Sequence, residues 1–219
     1  MRFKTKRIGG YGGFLVLIVV FFLGLQGSYA TEQTFEILPP TAQLPVAELP
    51  LVVTTCGQSP GALMIRIVCG SIGLQCEEAD LLTAKDLKSK AEEGQAYKTL
   101  IITTGTSLKG MGAAGIDIDY EVSRIKAVIQ EAKKEGILII GAHIEGMKRR
   151  VDETDYASIG TVIPESNLII VRADGNEDGY FTKLAKEHNI PLITVKETLH
   201  LANVFKKLFQ TGEKASTSS

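Results

Sequence analysis

The sequence predicts an α/β fold: a three-layer αβα sandwich around a mostly parallel sheet of five to six strands, flavodoxin-like or Rossmann-like. Three observations predict it. Short apolar runs recur along the chain, segments with helical period or helical end signals separate them, and turn residues punctuate nearly every junction. Right-handed crossovers then leave few topologies. The preferred one is a flavodoxin-like order, with the first strand central and a switch point between the first and third; a classical dinucleotide-binding order is the alternative.

Leu51–Thr55 is the first run, and a helix over Ala62–Ile72 follows, with Ser59 expected as N-cap, Pro60 at the first helical position and Gly73 as the stop. Leu74–Glu77 reads as a short strand. Thr83 and Asp86 are spaced as a capping box for the next helix. Lys98–Thr104 is a strand. A helix over Asp117–Glu135 follows, with Ile118, Val122, Ile125, Ile129 and Ala132 recurring every three or four residues. Asp117, Asp119 and Glu121 suit its positive end, and Lys133 and Lys134 its negative end. Ile137–Gly141 is apolar throughout, as a strand covered on both faces must be. Val151–Ile159, Asp178–His188 and Glu197–Phe209 read as helices, and Asn167–Val171 and Pro191–Val195 as strands.

The ends carry different signals. Arg2, Lys4, Lys6 and Arg7 precede an apolar core from Phe14 to Leu25, and Ser28 and Ala30 offer small residues for signal-peptidase cleavage after Ala30. Residues 1–30 are therefore expected to be a signal peptide of an exported protein, periplasmic or extracellular; the alternative is an uncleaved N-terminal membrane anchor, since Ile8–Leu25 could just span. Cleavage removes four basic and no acidic residues, which takes the net charge from -1 to -5. Residues 31–50 hold four of the seven prolines and read as a linker, from which Phe35, Ile37 and Leu38 could pack on the domain as an arm. Residues 51–210 form the expected single domain, and 211–219 a polar, disordered tail.

Charge excludes a strongly basic nucleic-acid binder, and 6% aromatic residues with no tryptophan poorly supply a stacking platform. Three cysteines cannot make a disulfide framework. Cys69 and Cys76 read as buried small hydrophobes in preference to a bridge. No nucleic-acid partner, metal or cofactor is expected; the membrane is met only through an uncleaved signal segment, and no particular protein partner is indicated.

In open α/β sheets ligands sit outside the carboxyl ends of the strands. Three loops lie there. The first carries Gly57, Gln58 and Ser59 into a helix start, where backbone N–H groups favour an anion. The second begins after Thr104 and runs Gly105–Gly115, with Ser107, Lys109, Gly110 and Gly112; four glycines permit close backbone approach and Lys109 supplies a cation. Gly110, Gly112 and Gly115 satisfy GxGxxG, but five residues late and after the wrong strand, and no P-loop lysine pattern is present. The third concentrates His143, Glu145, Lys148, Arg149 and Arg150, and arginine suits carboxylate or phosphate. Asp174, Asn176 and Asp178 open like a calcium loop, but its twelfth position falls on Ala185. Cys56 with His143 is a conceivable nucleophile pair, although no familiar hydrolase or zinc motif is present.

Thr54–Ser59, Tyr97–Ile102, Ser107–Asp117, His143–Gly146 with Arg149 and Arg150, Asn167–Val171, Asn176–Gly179 and Asn189–Leu192 together resemble an uncharacterised family of exported bacterial α/β domains, domain of unknown function 6305. The resemblance spans roughly residues 50–209. It implies one exported domain and no known activity; Cys56 departs from the family's pattern. Three functions follow from the residues: non-catalytic binding of a small anionic solute at the carboxyl edge, a hydrolase or transferase on an anionic substrate with His143 as acid/base, or a protein-interaction module of an envelope complex.

Overall fold

The computed structural model describes residues 34–210, so the expected signal segment and tail lie outside the described residues. Seven strands form one sheet: β1 (Phe35–Leu38), β2 (Leu51–Cys56), β3 (Glu77–Glu78), β4 (Thr99–Thr104), β5 (Leu138–His143), β6 (Leu168–Arg172) and β7 (Leu192–Val195). Seven α-helices connect them: α1 (Gly61–Ser71), α2 (Ala84–Glu92), α3 (Leu108–Ala114), α4 (Ile118–Lys134), α5 (Glu153–Val162), α6 (Tyr180–Glu187) and α7 (Leu201–Leu208). The spatial order is β1-β7-β6-β5-β4-β2-β3. From β3 to β7 every pairing is parallel. The first parallel strand, β2, lies between β3 and β4, which is the flavodoxin-like order and puts the switch point beside β2.

The sheet exceeds the expected five to six strands because the proline-rich segment contributes one. Phe35–Leu38 runs antiparallel to β7, Phe35 opposite Val195 and Leu38 opposite Leu192. Phe35 and Ile37 pack against one core cluster and Leu38 against another, so the arm closes the sheet edge as a true strand.

Strands β2 and β4 are buried at every position, as both-face coverage requires. On one face Val53, Ile101 and Ile140 meet α1 and α7. On the other, Val52, Leu100, Ile102 and Ile139 meet α2 and α4, while Ile169 and Val171 meet α5 and α6. Among the described residues, no helix is long and apolar enough to cross a membrane.

The end signals are mostly as expected. Thr83 and Asp86 form the capping box of α2, and Asp117 caps α4. Two expectations fail. The glycine-rich stretch after β4 is not an open loop: Ser107 caps it at Gly110 N–H and Leu108–Ala114 is helical. Ser59 does not cap α1. Pro60 occupies the cap position, no side chain caps the helix, and Ser59 is left one residue outside it.

Candidate functional site

The carboxyl edge of the sheet is built from the turns after β2, β4, β5 and β6, and they interlock. Gln58 pairs with Thr106 in an isolated antiparallel bridge, and Ser107 N–H donates to the Gly57 carbonyl at 2.8 Å. Gly110 lies against the Gln58 carbonyl so closely that a Cβ there would sit 2.1 Å from its oxygen. Gly112 faces open space, with no protein atom within 4 Å of its Cβ position.

A buried ion pair supports the first turn from below. Glu121 and Arg124, adjacent turns of α4, meet at 2.9 Å. The Glu121 carboxylate accepts from Gly57 N–H at 2.6 Å and from Gln58 Nε2 at 3.2 Å. Arg124 donates to the Thr55 carbonyl at 2.6 Å and the Leu82 carbonyl at 2.7 Å. This pair was not among the sequence candidates. The signal was present: the buried stripe of α4 runs through Glu121, Arg124, Ile125, Val128, Ile129 and Ala132, offset from the one expected. Gln58 adopts φ +55 and is braced by Glu121 and by the Asp80 carbonyl at 3.1 Å. It is a support for the turn, with both amide hydrogens committed.

His143 is wholly buried. Its Nε2 lies 3.1 Å from the Gly146 carbonyl and its Nδ1 3.0 Å from the Thr104 hydroxyl. A carbonyl only accepts, so Nε2 carries the proton and Nδ1 accepts from Thr104. Burial lowers the histidine's pKa from its ordinary 6.5, and Phe181 packs on the ring at 4.9 Å. Both ring nitrogens of this core histidine thus have partners within the protein, and the Thr104 hydroxyl is one of them. Cys56 is also sealed, and burial pushes its thiol up to about 12, far from a thiolate at neutral pH.

The cations are engaged as well. Arg149 Nε donates to Glu145 at 3.0 Å and its Nη1 to the Thr106 carbonyl at 2.5 Å. Arg150 is buried, donates to the Gly175 carbonyl at 2.7 Å, pairs with Asp178 and stacks over Tyr180 at 4.6 Å. Arg150 in turn holds the Asp178 carboxyl down to about 2. The acidic run after the arginines does not pair with them: Asp155 instead accepts from Thr106 N–H at 2.7 Å and Val151 N–H at 3.0 Å. The calcium-loop reading ends here too, because Asp174 pairs with Arg172, Asp178 with Arg150, and the Asn176 side-chain carbonyl caps α6 at Phe181 N–H. Lys109 and Lys148 stay exposed on the rim, and Ser107 is half-buried.

Among the described residues four buried side-chain atoms have no hydrogen-bond partner: Glu145 Oε1 and Arg150 Nε within the arginine cluster, and Thr55 Oγ1 and Ser59 Oγ where β2 leads into α1. The first turn of a helix leaves N–H groups without intrahelical partners. Helices α2, α3, α4 and α5 satisfy theirs with Thr83, Ser107, Asp117 and Asp152. The start of α1 has no such cap, and it is pressed inward: Gly61 lies so near Thr103 of β4 that a Cβ would sit 2.9 Å from that residue's Cβ. Ser59 is 4% exposed, and its hydroxyl has no hydrogen-bond partner. Thr55 Oγ1 is buried and unpartnered too, and strand alternation puts it on the α1 face with Val53. These groups meet at the switch point beside β2.

The larger clefts open elsewhere. One of about 510 Å³ is lined by Val46, Glu48, Lys98, Lys133, Leu138 and Asn167, at the opposite edge of the sheet. Another of about 590 Å³ lies between Leu38–Gln43 and the α6–β7 turn.

The model of a domain of unknown function, DUF6305, matches residues 48–209. The chain belongs to the DUF6305 family. The match begins just before β2 and ends just after α7, so the family domain comprises the six parallel strands without β1. No curated protein matches the sequence. Among solved structures, a GDSL-like lipase from Bacteroides thetaiotaomicron is 11% identical over 74% of this chain and 87% of that one, with a TM-score of 0.37. A CheY-like protein from Pseudomonas aeruginosa is 13% identical over 62% and 94%, with a TM-score of 0.32. A putative acylhydrolase from Bacteroides fragilis is 9% identical over 77% and 91%, with a TM-score of 0.37. At such TM-scores these likenesses assign neither a reaction nor a ligand to this DUF6305 domain.

Proposed function

We propose that this DUF6305 protein is a non-catalytic binding domain for a small oxyanion, a carboxylate or a phosphate ester, seated at the start of α1. The observation that carries the reading is Ser59: a buried hydroxyl without a partner, one residue outside an uncapped helix at the switch point. An oxyanion there would accept from the first-turn N–H groups and from Ser59 Oγ at once, and the helix dipole favours its charge. Lys109 and Lys148 on the rim add attraction at longer range. The sealed states of His143 and Cys56 favour binding over the hydrolase or transferase reading. The Arg2–Ala30 arrangement supports placing the domain outside the cytoplasm.

The test is thermal unfolding of the protein against inorganic phosphate, phosphate esters and carboxylates. A ligand at about 100 times its dissociation constant adds roughly 2.7 kcal/mol. For a domain of this size that raises the melting temperature by several degrees. The reading requires a rise with one anionic class that Ser59→Ala clearly reduces; a flat panel rejects it.

A second reading, a protein-docking edge, draws on exposed apolar residues around the same edge: Leu108 at 71%, Val151 at 68% and Leu199 at 74%. A flat anion panel together with a stoichiometric partner, bound by the wild type and lost in Leu108→Asp, would favour it.

A further inference from the structure

Helix α1 and strand β3 run past each other in opposite directions, and two side-chain rungs join them. Arg66 of α1 pairs with Glu78 of β3. One helical turn further along α1 stands Cys69, and two residues earlier along the other segment stands Cys76. Three residues of helix advance about 4.5 Å and two of strand about 6.6 Å, so a second contact at that step keeps the first in register. It is made by packing: Cys76 lies against the core cluster that contains Cys69, and its thiol donates to the neighbouring Glu77 carbonyl at 3.8 Å. The turn between them is tight and fixed, with Leu74 N–H donating to the Cys69 carbonyl at 2.9 Å. Cys69 is fully buried and Cys76 partly exposed.

We propose that Cys69 and Cys76 are a disulfide-forming pair that staples the end of α1 to the approach to β3. The reaction is thiol–disulfide exchange with a small or protein disulfide as oxidant. Cys76, the more exposed of the two, gives up its proton and attacks one sulfur of that disulfide, forming a mixed disulfide and releasing one thiol. Cys69 then attacks the Cys76 sulfur, the Cys69–Cys76 bond forms and the second thiol leaves. Two protons and two electrons pass to the oxidant. Cys56 takes no part, since it lies on the other face of the sheet.

The staple matters for the carboxyl edge. β3 is only two residues long and pairs only with β2, Glu77 opposite Val52 and Glu78 opposite Val53. The segment that leaves it supplies the Asp80 carbonyl to Gln58 and the Leu82 carbonyl to Arg124. Fixing the start of β3 therefore fixes the acceptors that hold the first turn. The inference does not depend on the anion reading.

The test is incubation of the native full chain in a glutathione redox buffer, followed by intact mass and peptide mapping. The expected result is loss of two hydrogens, a single cross-link between the peptides carrying Cys69 and Cys76, a free Cys56, and a higher melting temperature for the oxidised form. Cys56→Ser is expected to keep the cross-link and Cys76→Ser to lose it. Independent alkylation of both thiols after exposure to oxidant would overturn the proposal. A glutathione adduct that persists on Cys76 would do the same, as would a cross-link that forms only in denaturant.

Discussion

Gly57 donates its backbone N–H to the buried carboxylate of Glu121 at 2.6 Å, across 64 residues of sequence. That bond ties the turn after β2 to the first turns of α4, and Arg124 completes the link by donating to the Thr55 carbonyl at 2.6 Å. The turn that precedes α1 is thus held from beneath by an ion pair with almost no solvent contact.

Removing one member of that pair should be severe. Glu121→Ala leaves Arg124 buried without its carboxylate, and the expected loss is about 3–5 kcal/mol by urea unfolding. The double variant Glu121→Leu, Arg124→Met should recover much of that loss while still failing to hold Gly57 and Gln58. A single-variant loss below about 1 kcal/mol would show that the pair is solvated in solution.

Histidine 143 should give the protein an acid limb. Its pKa is lowered in the folded state by burial, so the unfolded chain takes up its proton first. Its contribution to stability is therefore complete above the ordinary pKa of 6.5 and is lost as the pH falls from there toward the folded value. Urea midpoints between pH 7 and pH 5 should decline in the wild type and decline less in His143→Gln. Equal slopes in the two proteins would assign the acid limb to other groups.

Two glycines of α3 should respond in opposite senses to alanine. At Gly110 a Cβ would meet the Gln58 carbonyl oxygen at 2.1 Å, so Gly110→Ala must push α3 off the first turn. The expected cost is about 1–3 kcal/mol. Gly112 has open space around its Cβ position, and alanine there should stabilise by about 0.5–1 kcal/mol through helix propensity. Thermal unfolding of the two variants side by side checks the contrast.

Ser59 should trade stability against binding. Its hydroxyl is buried without a partner, so Ser59→Ala removes a desolvated polar group and should leave the ligand-free protein as stable or up to about 1 kcal/mol more stable. The same change should weaken oxyanion affinity roughly tenfold or more, the loss of one hydrogen bond to a charged group. Calorimetric unfolding and titration of the same variant read both halves.

The layers were legible in the sequence because periodic signals survive packing. The apolar runs at Leu51, Lys98 and Ile137 became β2, β4 and β5, and Asp117 caps α4 where its position said it should. The site was less legible, for two physical reasons. Polar residues at a strand end read alike whether they face a ligand or one another, and here His143, Arg149, Arg150 and Gln58 face one another. A glycine leaves room for a ligand or for another backbone alike, and Gly110 leaves it for the Gln58 carbonyl. Phe35–Leu38 is masked by the prolines that follow it: a strand only four residues long, pairing with the distant β7 from Phe35 opposite Val195 onward, leaves little local period. Glu121 and Arg124 are visible as charges on α4, but the apolar period puts Ile118 and Val122 inward in its first turns, where Glu121 and Arg124 are the buried residues.

The most direct test of the central claim is an amide NMR titration of the wild-type protein with inorganic phosphate. The predicted result is saturable shifts at Gly61, Ala62 and Leu63 with Ser59 following, and a midpoint about tenfold or more higher in phosphate for Ser59→Ala. Unchanged amides at the start of α1, or shifts confined to Lys109 and Lys148 on the rim, would contradict it.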